Sequence, residues 1–184
     1  GLNDIIFAAE LAQTFILSLQ NYGSDFIQPI ITSFLQVAKS VNNEEQLVRN
    51  TSFDVNINNI IVGALTYEPT LTLSVLQERE MLNNFFRRWF TLIPMLKRVF
   101  DLKLSIMGLI SLISNPNAFN SLDQSIVEHL GTSLVALFSE LPNALESFAK
   151  KRQTFSYTDF SSSQDYYQNW DDEDELSAEA VSEY

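Results

Sequence analysis

Residues 82–113 read LNNFFRRWFTLIPMLKRVFDLKLSIMGLISLI, and this stretch decides the fold class. Its first half places apolar side chains three and four residues apart, which puts them on one face of a helix: Leu82, Phe85, Phe86, Trp89, Phe90 and Ile93. Pro94 follows, and Asp101 opens a second apolar run that ends at Ile113. The pattern predicts an antiparallel pair of helices, each with one face buried against the other.

Five basic residues lie in the same stretch and form what we call the basic edge: Arg87, Arg88, Lys97, Arg98 and Lys103. Such a cluster can bind phosphate or an acidic partner. Charge clusters on helices are more often solvated faces or helix ion pairs, and we favour that interpretation.

The flanking chain repeats the helical pattern, and helix starts near residues 4, 54, 82 and 121 could each open a two-helix unit. Pro69 suits the first position of a short helix. Ser121 and Gln124 have the spacing of a capping box, and Pro142 should kink or restart the long helix that follows. Stacked antiparallel pairs of this kind predict an all-α solenoid over residues 1–153, although periodicity alone also allows a compact bundle.

The amino-acid composition limits the kinds of protein that this chain can be. The chain has 184 residues, no cysteine and only five glycines and five prolines, which fits one helical domain without disulfides or thiolate chemistry. The longest apolar run is far shorter than the roughly 20 residues that span a bilayer, so we expect no membrane insertion. The chain begins at Gly1, and we expect it to be a piece of a longer protein.

Charge is concentrated at one end of the sequence. The net charge is -12, but residues 1–153 hold 14 acids and all 11 bases, so their net charge is only -3. The tail, residues 154–184, combines aromatic side chains with nine acids. It cannot bury enough apolar surface to offset its ordering entropy, so we expect it to be disordered unless bound.

The tail also holds the predicted protein-binding residues. Apolar anchors beside a run of acids are typical of a segment that folds onto a basic partner. The candidate residues are Tyr166, Tyr167, Trp170, Asp171, Asp172, Glu173, Asp174 and Glu175. Nucleic acid is not an expected partner, because the negative field repels phosphate.

Catalysis has little support in the sequence. His129 is the single histidine, and Glu128 and nearby serines invite a hydrolase interpretation. A triad needs a nucleophile on a strained turn and an oriented base, and no such turn is visible. We also find no metal-ligand cluster and no glycine-rich phosphate loop, so we predict a protein that is not an enzyme and binds no cofactor.

The motif residues resemble those of a HEAT repeat. HEAT repeats have a proline in the first helix, an aspartate followed by a basic residue as the second helix begins, and a small residue in its middle. Pro94, Asp101, Lys103 and Gly108 match this pattern. The resemblance implies a HEAT-type α-solenoid in which Lys103 pairs with Asp101.

More narrowly, the order of motifs from about residue 54 to 175 resembles the C-terminal end of a karyopherin-β of the importin-seven and importin-eight branch. The resemblance implies the C-terminal fragment of a nuclear transport receptor, found in cytoplasm and nucleus. Its acidic tail would engage basic cargo such as histones or ribosomal proteins. Ran-GTP and nucleoporins would bind parts of the parent chain that lie outside this sequence.

A second hypothesis treats the chain as a self-contained helical adaptor or capping module. In this hypothesis the acidic tail folds back on the basic edge and regulates or shields it.

Overall fold

The computed structural model describes residues 2–20, 24–43 and 51–154. All regular elements in these ranges are helical, which confirms the predicted all-α class. The helices are α1 (Leu2–Leu19), α2 (Ser24–Asn43), α3 (Thr51–Tyr67), α4 (Pro69–Glu78), α5 (Leu82–Leu92), α6 (Val99–Ser114), α7 (Pro116–Asn120) and α8 (Gln124–Thr154), with a 3-10 turn at Ile93–Met95 between α5 and α6. From residue 155 onward, the predicted tail lies outside the described residues, so the domain boundary stays a prediction.

Four of the helices form a stack. α1 packs against α3, α3 against α6, and α6 against α8. A Cβ atom on Gly63 of α3 would lie 3.8 Å from Ile16 of α1, while Asn59 and Val62 of α3 meet α6 near its residues 101 and 108. Glu10 of α1 interacts with Asp101, the residue that Asn59 contacts, so residues 10 and 16 of α1 match residues 59 and 63 of α3 in the same order. Later residues of one helix thus meet later residues of the next, and α1, α3 and α6 run parallel. This arrangement is solenoid-like.

The remaining helices run along the side of this stack. α2 begins beside the end of α3, where Ser24 donates a hydrogen bond of 2.8 Å to Glu68. Since α2 packs against α3 and ends shortly before α3 begins in the chain, the two helices run in opposite directions. α4 packs against both α2 and α3, and it begins at Pro69 as the sequence predicts.

The stack corrects the predicted register of the helix pairs. Units opening near residues 4, 54, 82 and 121 would make α3 a first helix and α6 a second helix, yet the two are equivalent neighbours in the stack. Outside the stack, α2 packs against α3 and α4, α5 packs against α4 and α8, and α7 packs against α6 and α4.

The core is centred on α3. Between Phe53 and Leu65 every residue of this helix except Asp54 is buried, because α1, α6, α2 and α4 all pack against it. In α5 the predicted apolar face is confirmed, with Phe85, Phe86 and Trp89 buried. The helical spacing at 82–93 therefore identified the face of α5 that faces the core.

Gly108 lets α6 approach its neighbours closely. A Cβ atom at this position would lie 2.7 Å from Cγ1 of Val62 and 3.3 Å from the ring of Trp89. That ring is held from the same helix, because its Nε1 donates a hydrogen bond of 3.2 Å to the hydroxyl of Ser105. The small residue in the middle of α6 is thus required by packing.

One local prediction near α8 is wrong, and a second is wrong in part. The hydroxyl of Ser121 donates to the carbonyl of Ala118 at 2.7 Å and ends α7, so it does not cap α8, which begins at Gln124. Pro142 lies inside α8, which continues to Thr154, so the helix does not restart at this residue. Phe138, whose carbonyl loses its helical donor at this proline, is exposed, so water can replace the missing bond.

Two glycines give a matched test of this packing. Gly108→Ala should lower the free energy of unfolding by about 1 to 3 kcal/mol, because the methyl group forces Val62 or Trp89 to move. Gly131→Ala in α8 should raise it by about 0.5 to 1 kcal/mol, since a Cβ there meets nothing within 4 Å and alanine favours the helix. Urea unfolding measures both, and equal effects would contradict the described packing.

Candidate functional site

The carboxylate of Asp101 accepts three hydrogen bonds inside the fold. It lies in the first turn of α6 and is buried. Arg98, the N-cap residue of α6, donates to it from Nε at 2.7 Å and from Nη2 at 2.9 Å. From α3, Nδ2 of Asn59 donates to the same carboxylate at 2.7 Å. The cluster therefore joins the two central helices of the stack.

The energetics of this cluster follow from its burial. Removing a carboxylate from water costs several kcal/mol, and the cost is recovered only when excellent partners replace the water. The forked contact from Arg98 supplies two charge-assisted hydrogen bonds, and the N-terminus of α6 adds a favourable dipole. Asn59 completes the set. The arrangement suits a structural role, because all three donors are committed to one acceptor inside the fold.

A second carboxylate faces the cluster from α1. Burial raises the pKa of Glu10, Arg98 opposes this shift, and the charge of Asp101 adds to it. Gln13, one turn further along α1, is buried, and its Oε1 has no hydrogen-bond partner among the described residues. Polar groups thus continue from α6 through α3 to α1.

The basic edge is largely neutralised within the body. Arg88 pairs with Asp54 of α3, Lys97 pairs with Glu140 of α8 at 3.1 Å, and Arg98 pairs with Asp101. The Lys97 ammonium lowers the pKa of Glu140.

The side chains of Arg87 and Lys103, the other two members of the basic edge, are exposed. Arg98 is a partner of Asp101 that the sequence analysis did not name. The ion pairs hold α5 to α3 and the chain before α6 to α8, which agrees with the structural interpretation of the basic edge.

The predicted tail residues lie outside the described residues: Tyr166, Tyr167, Trp170, Asp171, Asp172, Glu173, Asp174 and Glu175. Their proposed role in protein binding stays a prediction.

His129 has a packing role in the structure. Its ring stacks on Phe90 with centroids 5.4 Å apart, and its Nδ1 lies 2.7 Å from the carbonyl oxygen of Ser125. The contact joins α8 to α5. No group of three or more potential metal ligands occurs within residues 2–20, 24–43 and 51–154. In the same ranges no helix is long and apolar enough to cross a bilayer.

Sequence reasoning missed Asn59 and Glu10 as neighbours of Asp101. A signal was present, since Asn56, Asn58 and Asn59 interrupt an otherwise apolar helix, and all three are buried. Buried asparagines need hydrogen-bond partners, so they indicate a polar contact with another helix. The sequence did not indicate which of the other helices supplies that contact.

The outer surface of α1 is the first apolar surface that the described helices leave uncovered. Phe7 and Leu11 are 68% and 63% exposed, and Phe15 continues the row one turn later. Phe15 meets Phe26 of α2 edge to face at 5.5 Å, which extends the surface across two helices. We call these four residues the α1 surface. Large exposed apolar patches of this kind mark interaction sites.

The pH dependence of stability tests the environment of Glu10. Because its folded pKa is raised above the ordinary value of 4.5, the folded state binds a proton more readily than the unfolded state. The contribution of Glu10 to the free energy of unfolding therefore falls as the pH rises from its ordinary pKa through its raised folded pKa. We expect Glu10→Gln to be more stable than the original chain at about pH 7, with the difference disappearing near about pH 3. Urea unfolding at both pH values measures this, and a destabilised variant at neutral pH would contradict it.

Comparisons with known proteins give one informative relative. No protein-family model and no solved structure matches the chain. The chain is 28% identical over 198 residues to Nonsense-mediated mRNA decay protein 5 of Saccharomyces cerevisiae. The match covers the whole chain but only 18% of the relative, so the chain spans less than a fifth of that protein's length.

This finding corrects the assignment made from the motifs. The relative is named for nonsense-mediated mRNA decay and not for nuclear transport, so we withdraw the assignment to the karyopherin-β family. The predicted function as a fragment of a nuclear transport receptor is withdrawn with it, as is the self-contained adaptor, which a match to a small part of a long protein does not support. Asp101 and Gly108, which carried the resemblance, are accounted for by the ion pair and the close packing described above.

Proposed function

We propose that the chain is a protein-binding scaffold segment of a longer α-helical repeat protein and that it has no catalytic function of its own. The observation that carries the repeat-protein part of this proposal is the α1 surface, which exposes large apolar side chains on a helix whose opposite face belongs to the core. We propose that a further pair of helices in the same protein covers the α1 surface and continues the stack beyond α1.

The geometry of the stack supports this occupant. α1, α3 and α6 each contact the next helix along a side face, and the α1 surface lies on the side of α1 away from its buried residues Ile6, Ala9 and Ile16. Repeat proteins bury such faces by adding another unit of the same kind. The length of the relative, of which the chain covers 18%, leaves room for many such units.

HEAT is the repeat class that we propose. Two features support it. The stacked helices α1, α3 and α6 run parallel, as the second helices of successive HEAT repeats do. Asp101 lies in the first turn of α6 and Gly108 lies in its middle, where the HEAT pattern places an aspartate and a small residue.

A basic protein is the partner class that we propose for the segment as a whole. The support is electrostatic, since the net charge is -12 and most of the excess lies beyond residue 153. A strongly acidic chain attracts basic surfaces and speeds association with them, and this attraction weakens as salt rises. The location in cytoplasm and nucleus stays a prediction.

The α1 surface can be tested with one double variant. Phe7→Ser with Leu11→Ser should change the unfolding free energy of the 184-residue chain by less than about 1 kcal/mol, because both side chains are already exposed. In a longer protein that contains this segment, the same variant should speed amide hydrogen exchange in α1 several-fold, since it removes the covering contact.

The matched control is Val135→Ser with Phe138→Ser, which changes two comparably exposed apolar residues on α8. This control should leave exchange in α1 unchanged. If α1 exchanges equally fast in the isolated chain and in the longer protein, the proposed packing is excluded.

A further inference from the structure

The outer face of α8 carries a second apolar surface, separate from the α1 surface. Its residues follow a spacing of four, three, four, three and four along the helix: Gly131, Val135, Phe138, Pro142, Leu145 and Ala149. Val135 is 67% exposed and Phe138 is 49% exposed, and Leu145 is also exposed. We call this set the α8 stripe.

The α8 stripe is distinct from the face that holds α8 in the fold. The core face consists of Ile126, Leu130, Leu137 and Ala144, all of which are buried. At 100° per residue, the stripe is centred about 120° around the helix from that face. Glutamates and other polar residues occupy the remaining side. The spacing of the stripe is that of a seam that receives another apolar segment lengthwise.

We propose that the aromatic part of this chain's own tail, residues 155–170, docks along the α8 stripe. The first argument is connectivity. α8 ends at Thr154, so the aromatic segment begins at the end of the helix that bears the stripe. From Gly131 to Ala149 the stripe is about 27 Å long, and residues 155–170 reach about 50 Å when extended, so the segment can return along the whole stripe.

The second argument is composition. Residues 155–170 contain six aromatic side chains and only two acids: Phe155, Tyr157, Asp159, Phe160, Asp165, Tyr166, Tyr167 and Trp170. The remaining 14 residues hold seven acids. α8 carries three acids and three bases, so its net charge does not select between the two parts of the tail: Glu128, Glu140, Glu146, Lys150, Lys151 and Arg152. The selection rests on apolar match, because the stripe is apolar and the aromatic part supplies the apolar side chains.

The third argument is tethering. A segment joined directly to its site has an effective concentration in the millimolar range, so weak apolar contacts suffice to hold it. A second copy of the chain competes only at comparable protein concentrations. The contact proposed here is apolar, and salt should affect it little, in contrast to docking on the basic edge.

Acrylamide quenching of tryptophan fluorescence tests the proposal in the full chain. The chain has two tryptophans, and Trp89 is fully buried, so the quencher reports on Trp170. We expect the quenching constant to be severalfold lower than that of a free peptide of residues 155–170 and to stay low in high salt. Val135→Ser with Phe138→Ser should raise it severalfold, whereas the exposed control pair Phe7→Ser with Leu11→Ser should not.

A second variant keeps the test independent of any effect on folding. Phe155→Ser with Phe160→Ser leaves all described contacts intact and should also release Trp170. The proposal is overturned if Trp170 is as accessible in the full chain as in the peptide, or if no variant alters it. A second copy of the chain would occupy the stripe if Trp170 were protected from acrylamide only at higher protein concentration and light scattering gave a dimer mass. That result would also overturn the proposal.

Discussion

The arrangement of the helices depends on the hydrogen bonds that the buried carboxylate of Asp101 accepts. It accepts hydrogen bonds from Arg98 and from Asn59, so a single charge fixes the start of α6 against the middle of α3. Two turns further along α6, the absence of a side chain at Gly108 lets the helices stay close beside the ring of Trp89. The hydrogen bonds of Asp101 and the close approach at Gly108 therefore fix the same position of α6 relative to α3.

Much of the fold follows from helical spacing alone. The stretch 82–113 identified the buried face of α5. The contact between Arg98 and Asp101 was harder to identify, because Arg98 and Lys103 both lie within one turn of Asp101 in the sequence. The contact with Asn59 spans 42 positions, and no local pattern encodes it.

Where local signals failed, packing overrode them. Ser121 has the spacing of an N-cap, yet α7 ends there and its last turn uses the hydroxyl. Pro142 lies in the middle of a continuous helix because it sits on the exposed side, where a lost backbone bond costs least. The outer faces of α1 and α8 carry exposed apolar side chains, and the sequence analysis did not identify either of them as a surface.

The central claim, that Asp101 couples α3 to α6, is tested most directly by a double-mutant cycle. Asn59→Ala, Asp101→Ala and the double variant are compared by urea unfolding. If the hydrogen bond between these side chains fixes the two helices, the double variant should be less destabilised than the sum of the single variants, with a coupling energy of about 1 to 3 kcal/mol. Effects that add to within about 0.5 kcal/mol would show that the two residues act independently and would contradict this account.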